Sequence, residues 1–397
     1  MRALLFTANS NSGWVGSFVS RLKESFGKLG VECAVREHND FGLKEGGKLI
    51  DSFRPDWMFS FNQMFPNFRV DGELSTVYDF FQIPHYTYLV DNPYIWLTTK
   101  SINFDSEYLS VITLDNADIL RQAGVKNCRE ILYGCPASLK NNIEPDSKKR
   151  SVLFAGSIGN TNQDTEKMLM SSSLTPEQKQ AVFSYCLKVY ENIRGEKRFL
   201  KQNLLTDFFI SSSGVGLFDT KIKYNESLSE AFIIIERFYE TLARESILSL
   251  LKKTNISCAM AGDEKMRDFC AGADNMLYQG MIPYERYLDM IGGFSVSLNI
   301  TPKHLRVHDR ITSTLMSGSL LVTTPVPKLV SEYPELKDII VEAEFGSTDF
   351  IEKMDRIVSD RAEYRDRTSA GAELAAKYFS WDSTAEKILE FVKSPAP

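Results

Sequence analysis

The chain has 397 residues, 43% hydrophobic and 25% charged, with a formal net charge of −6. That length exceeds the size at which one hydrophobic core stops growing, so two domains are expected. The acidic balance, without long runs of one sign, argues against a polyanion-binding surface and against nucleic acid as the main partner.

"RALLFT" reads as a first strand, and the apolar run around it is too short for a signal peptide. No stretch reaches the roughly 20 apolar residues of a membrane span. The six cysteines form no C-x-x-C pair and read as reduced thiols, so a cytoplasmic protein is expected. After "ANSNSG", the segment "WVGSFVSRLKESFGKLG" has helical spacing and stops on Gly30. "VECAVRE" is a second strand. "GGKLIDSFRPDWMFSFN" reads as a short helix, a Pro55-Asp56 break and a third strand. A strand in "IPHYTYLVDNP" ends at Asp91, then come "LSVITLDN", a helix in "ADILRQAG" and a last strand in "CREILYG". Such alternation indicates a parallel sheet covered by helices. Residues 1–136 thus form a first domain and 137–150, polar and charged, a linker. "SVLFAG" opens a second α/β series over 151–380, interrupted by a helix-rich insertion at about 161–254. Residues 381–397 supply a closing helix and tail.

Ligands of open α/β sheets bind outside the carboxyl ends of the strands. In the second half three places qualify: "FAGSIGN", with Gly156 and Ser157; "YQGMIPYERY", with Gly280 and Tyr284; and "HDRITSTLMSG", where His308, Asp309 and Arg310 precede a small-residue helix. A helix start offers unpaired N–H groups and partial positive charge, a natural seat for phosphate. Arg310 adds a planar fork suited to phosphoryl oxygens, and Asp309 suits a ribose diol. The plainer alternative makes Asp309 a helix cap, Arg310 a solvated charge and His308 a loop residue.

In their order, "AGVKNCREILYGCP", "VLFAGSIG", "CAMAGDE", "LYQGMIPYERYLDMI", "SVSLNI", "RITSTLMSGSLLVTTPVP" and "YFSWDSTAEKILEFV" resemble a GT-B glycosyltransferase, most like the group-1 and spore-maturation (CgeB-like) type. The resemblance implies two Rossmann-like, doubly wound parallel-sheet domains facing a cleft, with a helical insertion in the second. It implies a hexosyltransferase-type enzyme that moves a sugar from a nucleotide-diphosphate sugar, UDP-sugar favoured, to a glycan, lipid or protein hydroxyl. One departure stands out: Ser313 occupies the position where many such enzymes carry a ribose-binding Glu, and Asp309 could substitute.

On that reading Arg310, the Ile311 and Thr312 backbone N–H groups and His308 stabilise charge on the leaving diphosphate. There is no D-x-D sequence, so no metal cofactor is expected. An inverting transfer would need a base in the first half; Asp91 is the first candidate and His85 the second, while a turn-starting Asp is the plain alternative. Asn9, Ser10 and Trp14 follow the first strand and could meet phosphate or acceptor, or form an ordinary loop. The aromatic run "FFQIPHYTYLVDNPYIW" suits sugar stacking or core packing, the latter favoured. The insertion could be an acceptor platform, but Phe232, Ile235, Phe238, Tyr239 and Leu242 recur at helical spacing as a buried face would. Competing readings are a GT-B-fold sugar-nucleotide epimerase and a non-catalytic α/β binding protein.

Overall fold

The computed structural model describes residues 1–8, 13–62, 64, 67–70, 73–76, 80–91, 107–112, 117, 120–121, 125–142, 149–159, 161–194, 208, 212, 226–301, 308–344 and 347–393. In the first half, β1 (Arg2–Thr7), α1 (Trp14–Lys28), β2 (Glu32–Glu37), α2 (Leu43–Phe53) and β3 (Trp57–Phe61) alternate as their spacing demands. A hairpin follows, β4 (Asn67–Val70) with β5 (Glu73–Thr76), and then β6 (His85–Leu89), β7 (Glu107–Val111) and β8 (Cys128–Glu130). The second half runs β9 (Lys149–Ala155), α3 (Thr161–Ser171), α4 (Pro176–Arg194), α5 (Glu226–Lys252), β10 (Cys258–Ala261) and α6 (Glu264–Cys270). It continues with β11 (Met276–Gly280), α7 (Tyr284–Ile291), β12 (Phe294–Asn299), α8 (Asp309–Met316) and β13 (Leu320–Thr323). The chain ends with α9 (Pro327–Glu332), α10 (Leu336–Ile339), β14 (Val341–Glu342), α11 (Asp349–Ser359), α12 (Arg361–Tyr378) and α13 (Trp381–Lys393).

Two six-stranded sheets form, ordered β2-β1-β3-β6-β7-β8 and β11-β10-β9-β12-β13-β14, with every pairing within them parallel. Each order reverses direction at one point: between β1 and β3 in the first sheet, and between β9 and β12 in the second. Chains leaving two neighbouring strands there diverge to opposite faces and open a crevice at the carboxyl ends. Both crevices matter for the site.

One core joins the halves: Phe18, Phe59 and Tyr88 from the first are buried in the same cluster as Leu153, Tyr287 and Ile311 from the second. The last helix then returns to the first half. Asp382 of α13 accepts from Ser25 Oγ at 2.6 Å and Lys28 Nζ at 3.1 Å on α1, and Arg129 lies 4.8 Å over the Phe391 ring. One face of the described part of the insertion is buried. Val182, Phe232, Ile235 and Leu242 share a cluster with Leu89, Leu109 and Val111 of the first sheet.

Within the aromatic run, Phe80 is exposed while the tyrosines of β6 pack in the core. Tyr86 stacks on Phe59 and Tyr88 on Phe61, each at 5.5 Å between ring centroids, and both tyrosines are fully buried. Tyr94 and Trp96 lie outside the described residues.

Candidate functional site

The two crevices face each other across a cavity of about 530 Å³. From the second half its wall is made by the turns after β9 (Ala155, Gly156, Ser157), β10 (Gly262, Asp263) and β11 (Met281, Ile282), by Tyr284 and Tyr287 on α7, and by His308, Asp309 and Arg310. From the first half come Trp14, Phe18, Val90, Asp91 and Tyr133. The cavity thus brings the first base candidate together with the charged helix start.

The three turns of the second half are laced by backbone bonds. Gly156 N donates to Ala261 O at 2.9 Å, and Gly262 N to Gly280 O at 3.0 Å. A Cβ on Gly262 would collide with Gly156 O, and one on Gly156 would sit 2.9 Å from Arg310 Nη1, so both glycines are dictated by close approach. Gly280 has φ +78°, the left-handed region that favours glycine; it turns the chain beneath the site, and Met281 and Ile282 form the wall in its place.

At the start of α8, His308 rather than Asp309 is the cap residue, and Asp309 is the first helical residue. His308 Nδ1 pairs with the Asp309 carboxylate and lies 3.3 Å from the Arg310 amide nitrogen. Nδ1 can either donate to the carboxylate or accept from the Arg310 N–H, not both, and the bond to the charged carboxylate is the stronger, so we assign the proton to Nδ1. Nε2 then accepts from Arg310 Nη2 at 3.3 Å. Burial pushes the Asp309 carboxyl up, but the His308 imidazole and the Arg310 guanidinium and amide outweigh it and hold it below the usual carboxylate range. Arg310 is only 7% exposed, donates Nη1 to Ala155 O, and faces the Phe154 ring at 6.0 Å. It is a buried cation pinned to the turn after β9, not a solvated one.

Two other residues expected at the site from this helix do not line the cavity. The Ile311 amide already donates to His308 O at 2.9 Å, and its side chain is fully buried in the core. Thr312 is also fully buried, with Oγ1 donating to Asp309 O at 3.0 Å. Neither residue is in the cavity wall. Ser313, at the position of the missing Glu, is buried too, its hydroxyl closed on Asp309 O at 2.8 Å.

In the first half, Asp91 stands two residues past the end of β6 and accepts from Asn62 Nδ2 at 2.6 Å. Asn62 Oδ1 in turn accepts from the amides of Val90 at 2.8 Å and Asp91 at 3.3 Å. His85 is elsewhere. It begins β6, a strand's length from the cavity, and is 1% exposed, with Ser60 Oγ at 3.1 Å and Thr87 Oγ1 at 3.3 Å. Burial holds its pKa well below the ordinary 6.5, so His85 is a neutral core residue and is withdrawn as a base. Trp14 lies in the wall, edge-on to Phe18 at 5.3 Å. Asn9 and Ser10 lie outside the described residues.

Sequence reasoning missed Asn62, Phe18, Tyr133 and Asp263. Asp263 follows β10 after a single glycine, so the rule that directs attention to strand ends would have found it. Tyr133 carries no such signal; its ring lies 6.4 Å from that of His308, and its hydroxyl donates to Val90 O at 2.9 Å. Among the described residues no three His, Cys, Asp or Glu side chains gather as a metal site would need, and no helix is long and apolar enough to cross a membrane.

A sequence-family profile described as glycosyl transferase-like matches residues 239–390, which include the β10–α8 part of this wall. No curated protein matches the chain by sequence. Solved structures match over nearly its whole length. They include an alpha-glucosyltransferase in complex with UDP and a 13-mer DNA (TM-score 0.58, 10% identity, 99% of this chain and 100% of that one). Another is the sucrose-phosphate synthase of Thermosynechococcus elongatus (0.54, 9%, 99% and 98%). A third is Anabaena Alr3699/HepE in complex with UDP and glucose (0.52, 8%, 99% and 99%). The chain has the GT-B fold, and its second half matches a glycosyl transferase-like family.

Proposed function

We propose that the protein is a glycosyltransferase of the group-1, CgeB-like kind, taking a hexosyl group from a nucleotide-diphosphate sugar, with UDP-sugar favoured. The observation that carries this reading is the shared cavity, with a buried guanidinium and helix start on one wall and a tethered carboxylate on the other. Solved structures of this fold in complex with UDP favour uracil as the base of the nucleotide. The donor lies on the second half, its diphosphate toward Arg310 and the turn after β9. Asp309 is already committed to His308, so the ribose contact falls to it only through its second carboxylate oxygen.

The chemistry follows from charge. As the bond from the sugar to the diphosphate breaks, negative charge grows on the phosphate, and preorganised donors in a dry site stabilise it without reorganising. Arg310 supplies the opposing positive charge with no metal, and His308 and Ala155 O hold its orientation. The acceptor hydroxyl, on a glycan, lipid or protein, enters from the first half. There Asp91 takes its proton as the oxygen bonds to the anomeric carbon and the nucleoside diphosphate leaves. The net charge of −6 favours an acceptor other than nucleic acid. A cytoplasmic enzyme fits the reduced thiols.

The test is a thermal-shift and calorimetric screen with UDP, GDP, dTDP and their sugars. Stabilisation by a nucleoside diphosphate is the expected result, and no response to any of them contradicts the reading. Release of free nucleotide on adding acceptor separates transfer from the epimerase alternative, which would retain the nucleotide on the sugar.

A further inference from the structure

Helix α5 passes through two cores. Up to Leu242 it is buried with strands of the first sheet, and from Ala243 onward with strands of the second. Arg244 stands at that crossing and is 5% exposed. Its Nη1 donates to Ser157 O at 2.8 Å and lies 3.3 Å from Ser157 Oγ, and its Nη2 pairs with Glu240 one turn earlier. Its Nε is buried with no hydrogen-bond partner.

Arg310 holds the Ala155 carbonyl of the same turn from the other side. The carbonyls flanking Gly156 are therefore each gripped by a buried guanidinium. Below them lies a second cavity of about 320 Å³, whose wall includes Arg244 and which shares Ser157 and Asp263 with the larger one. Burying a guanidinium is costly, and an unsatisfied N–H adds to the cost. Anchoring a single carbonyl would need only a neutral amide. Burial lowers the Arg244 pKa to about 10, opposed by Glu240, so the group is still charged at neutral pH.

We propose that Arg244 is a positioning residue of the donor site: from the wall between the two cavities it fixes the Ala155–Ser157 turn and adds positive potential where the diphosphate of the nucleotide sugar lies. The proposal rests on the glycosyltransferase reading above. It assigns to the insertion helix a part in donor binding that neither the family resemblance nor the cavity's own lining supplies. Arg244 acts through the turn and through its field; Arg310 makes the contact. Glu240 partly neutralises Arg244, so removing that carboxylate should strengthen the effect.

The experiment compares UDP with uridine by calorimetry, on wild type, Arg244→Gln, Arg244→Lys and Glu240→Gln, each checked for folding by circular dichroism. Arg244→Gln should lose at least about tenfold in UDP affinity while uridine affinity is unchanged. Arg244→Lys should recover part of that loss, and Glu240→Gln should bind UDP several-fold more tightly with uridine again constant. If Arg244→Gln does not fold, the Lys and Glu240 variants decide. A folded set with an unchanged ratio of UDP to uridine affinity makes Arg244 purely structural and overturns the proposal. Wild-type protein that binds no nucleoside diphosphate instead overturns the donor reading itself.

Discussion

Asn62 donates its side-chain amide to Asp91 Oδ2 at 2.6 Å, while its own amide oxygen accepts from the Val90 and Asp91 backbone. Three bonds thus tie the end of β3 to the end of β6 at the lip of the cavity. Asn62 has φ 46°, in the left-handed region, which Asn tolerates better than most residues. The strain is maintained where a carboxylate must be aimed.

That relationship yields the first prediction. Asp91→Asn should lower sugar transfer by about 10²–10⁴-fold, the contribution typical of a positioned base, and leave UDP affinity intact. Asn62→Ala should lower kcat with little change in donor KM. Steady-state kinetics beside calorimetry check both; an active Asp91→Asn enzyme would remove Asp91 as the base.

Arg310 can be tested from two directions. Arg310→Ala should weaken UDP binding by about 2–3 kcal/mol, the scale of charge-assisted hydrogen bonds. Gly156→Ala leaves Arg310 in the sequence but puts a methyl 2.9 Å from its Nη1 and 3.1 Å from the buried Phe154 ring. It should therefore reproduce much of the same loss. Full UDP affinity in Gly156→Ala would mean that the guanidinium can move without consequence.

His85 predicts a pH dependence of stability. Its folded pKa lies well below 6.5 because burial penalises the charged ring. Below 6.5 the unfolded chain takes up a proton that the folded chain refuses. The stability is thus fully present above that pH and falls as the pH drops below it, by up to about 1.4 kcal/mol per pH unit. Denaturant unfolding across this range should show the slope in wild type and a flatter one in His85→Gln. Parallel slopes would place the acid sensitivity elsewhere.

The insertion should behave as core. Phe232 is 1% exposed, 6.3 Å from the Phe208 ring, within the cluster shared with the first sheet. Phe232→Ala should cost about 3–5 kcal/mol, and calorimetric scanning should show the protein still melting as a unit. A loss below about 1 kcal/mol would indicate a surface platform rather than a core.

The alternation of period-2 and helical patterns made both parallel sheets legible, since β1, β9, β10, β12 and β13 are short apolar runs between turn signals. Strand order was not legible, because it is set by which crossover goes to which face, and no local pattern encodes that. The β4–β5 hairpin was overlooked although an Asp-Gly pair separates its strands, a usual sign of such a turn. Two regular elements fall within the stretch read as a linker. Ala137–Asn142 is a 3₁₀ helix, and β9 begins at Lys149, where charged residues masked the start of a strand.

For the site, strand ends and the helix start led to His308, Asp309, Arg310, Tyr284, Gly156, Ser157 and Trp14, all lining one cavity. Ile311 and Thr312 were expected in the wall, but a helix start does not reveal which of its first residues turn into the core. His85 was misread because titratable chemistry in a strand looks alike at either end of it. Arg244 left no trace, lying mid-helix among ordinary amphipathic residues.

The most direct measurement is a crystal structure of the protein with UDP. The account requires the diphosphate in the cavity between the halves, within hydrogen-bond distance of the Arg310 guanidinium and beside the turn at Gly156. A nucleotide seated elsewhere, with Arg310 still closed on Ala155 and His308 and turned away from phosphate, would contradict it.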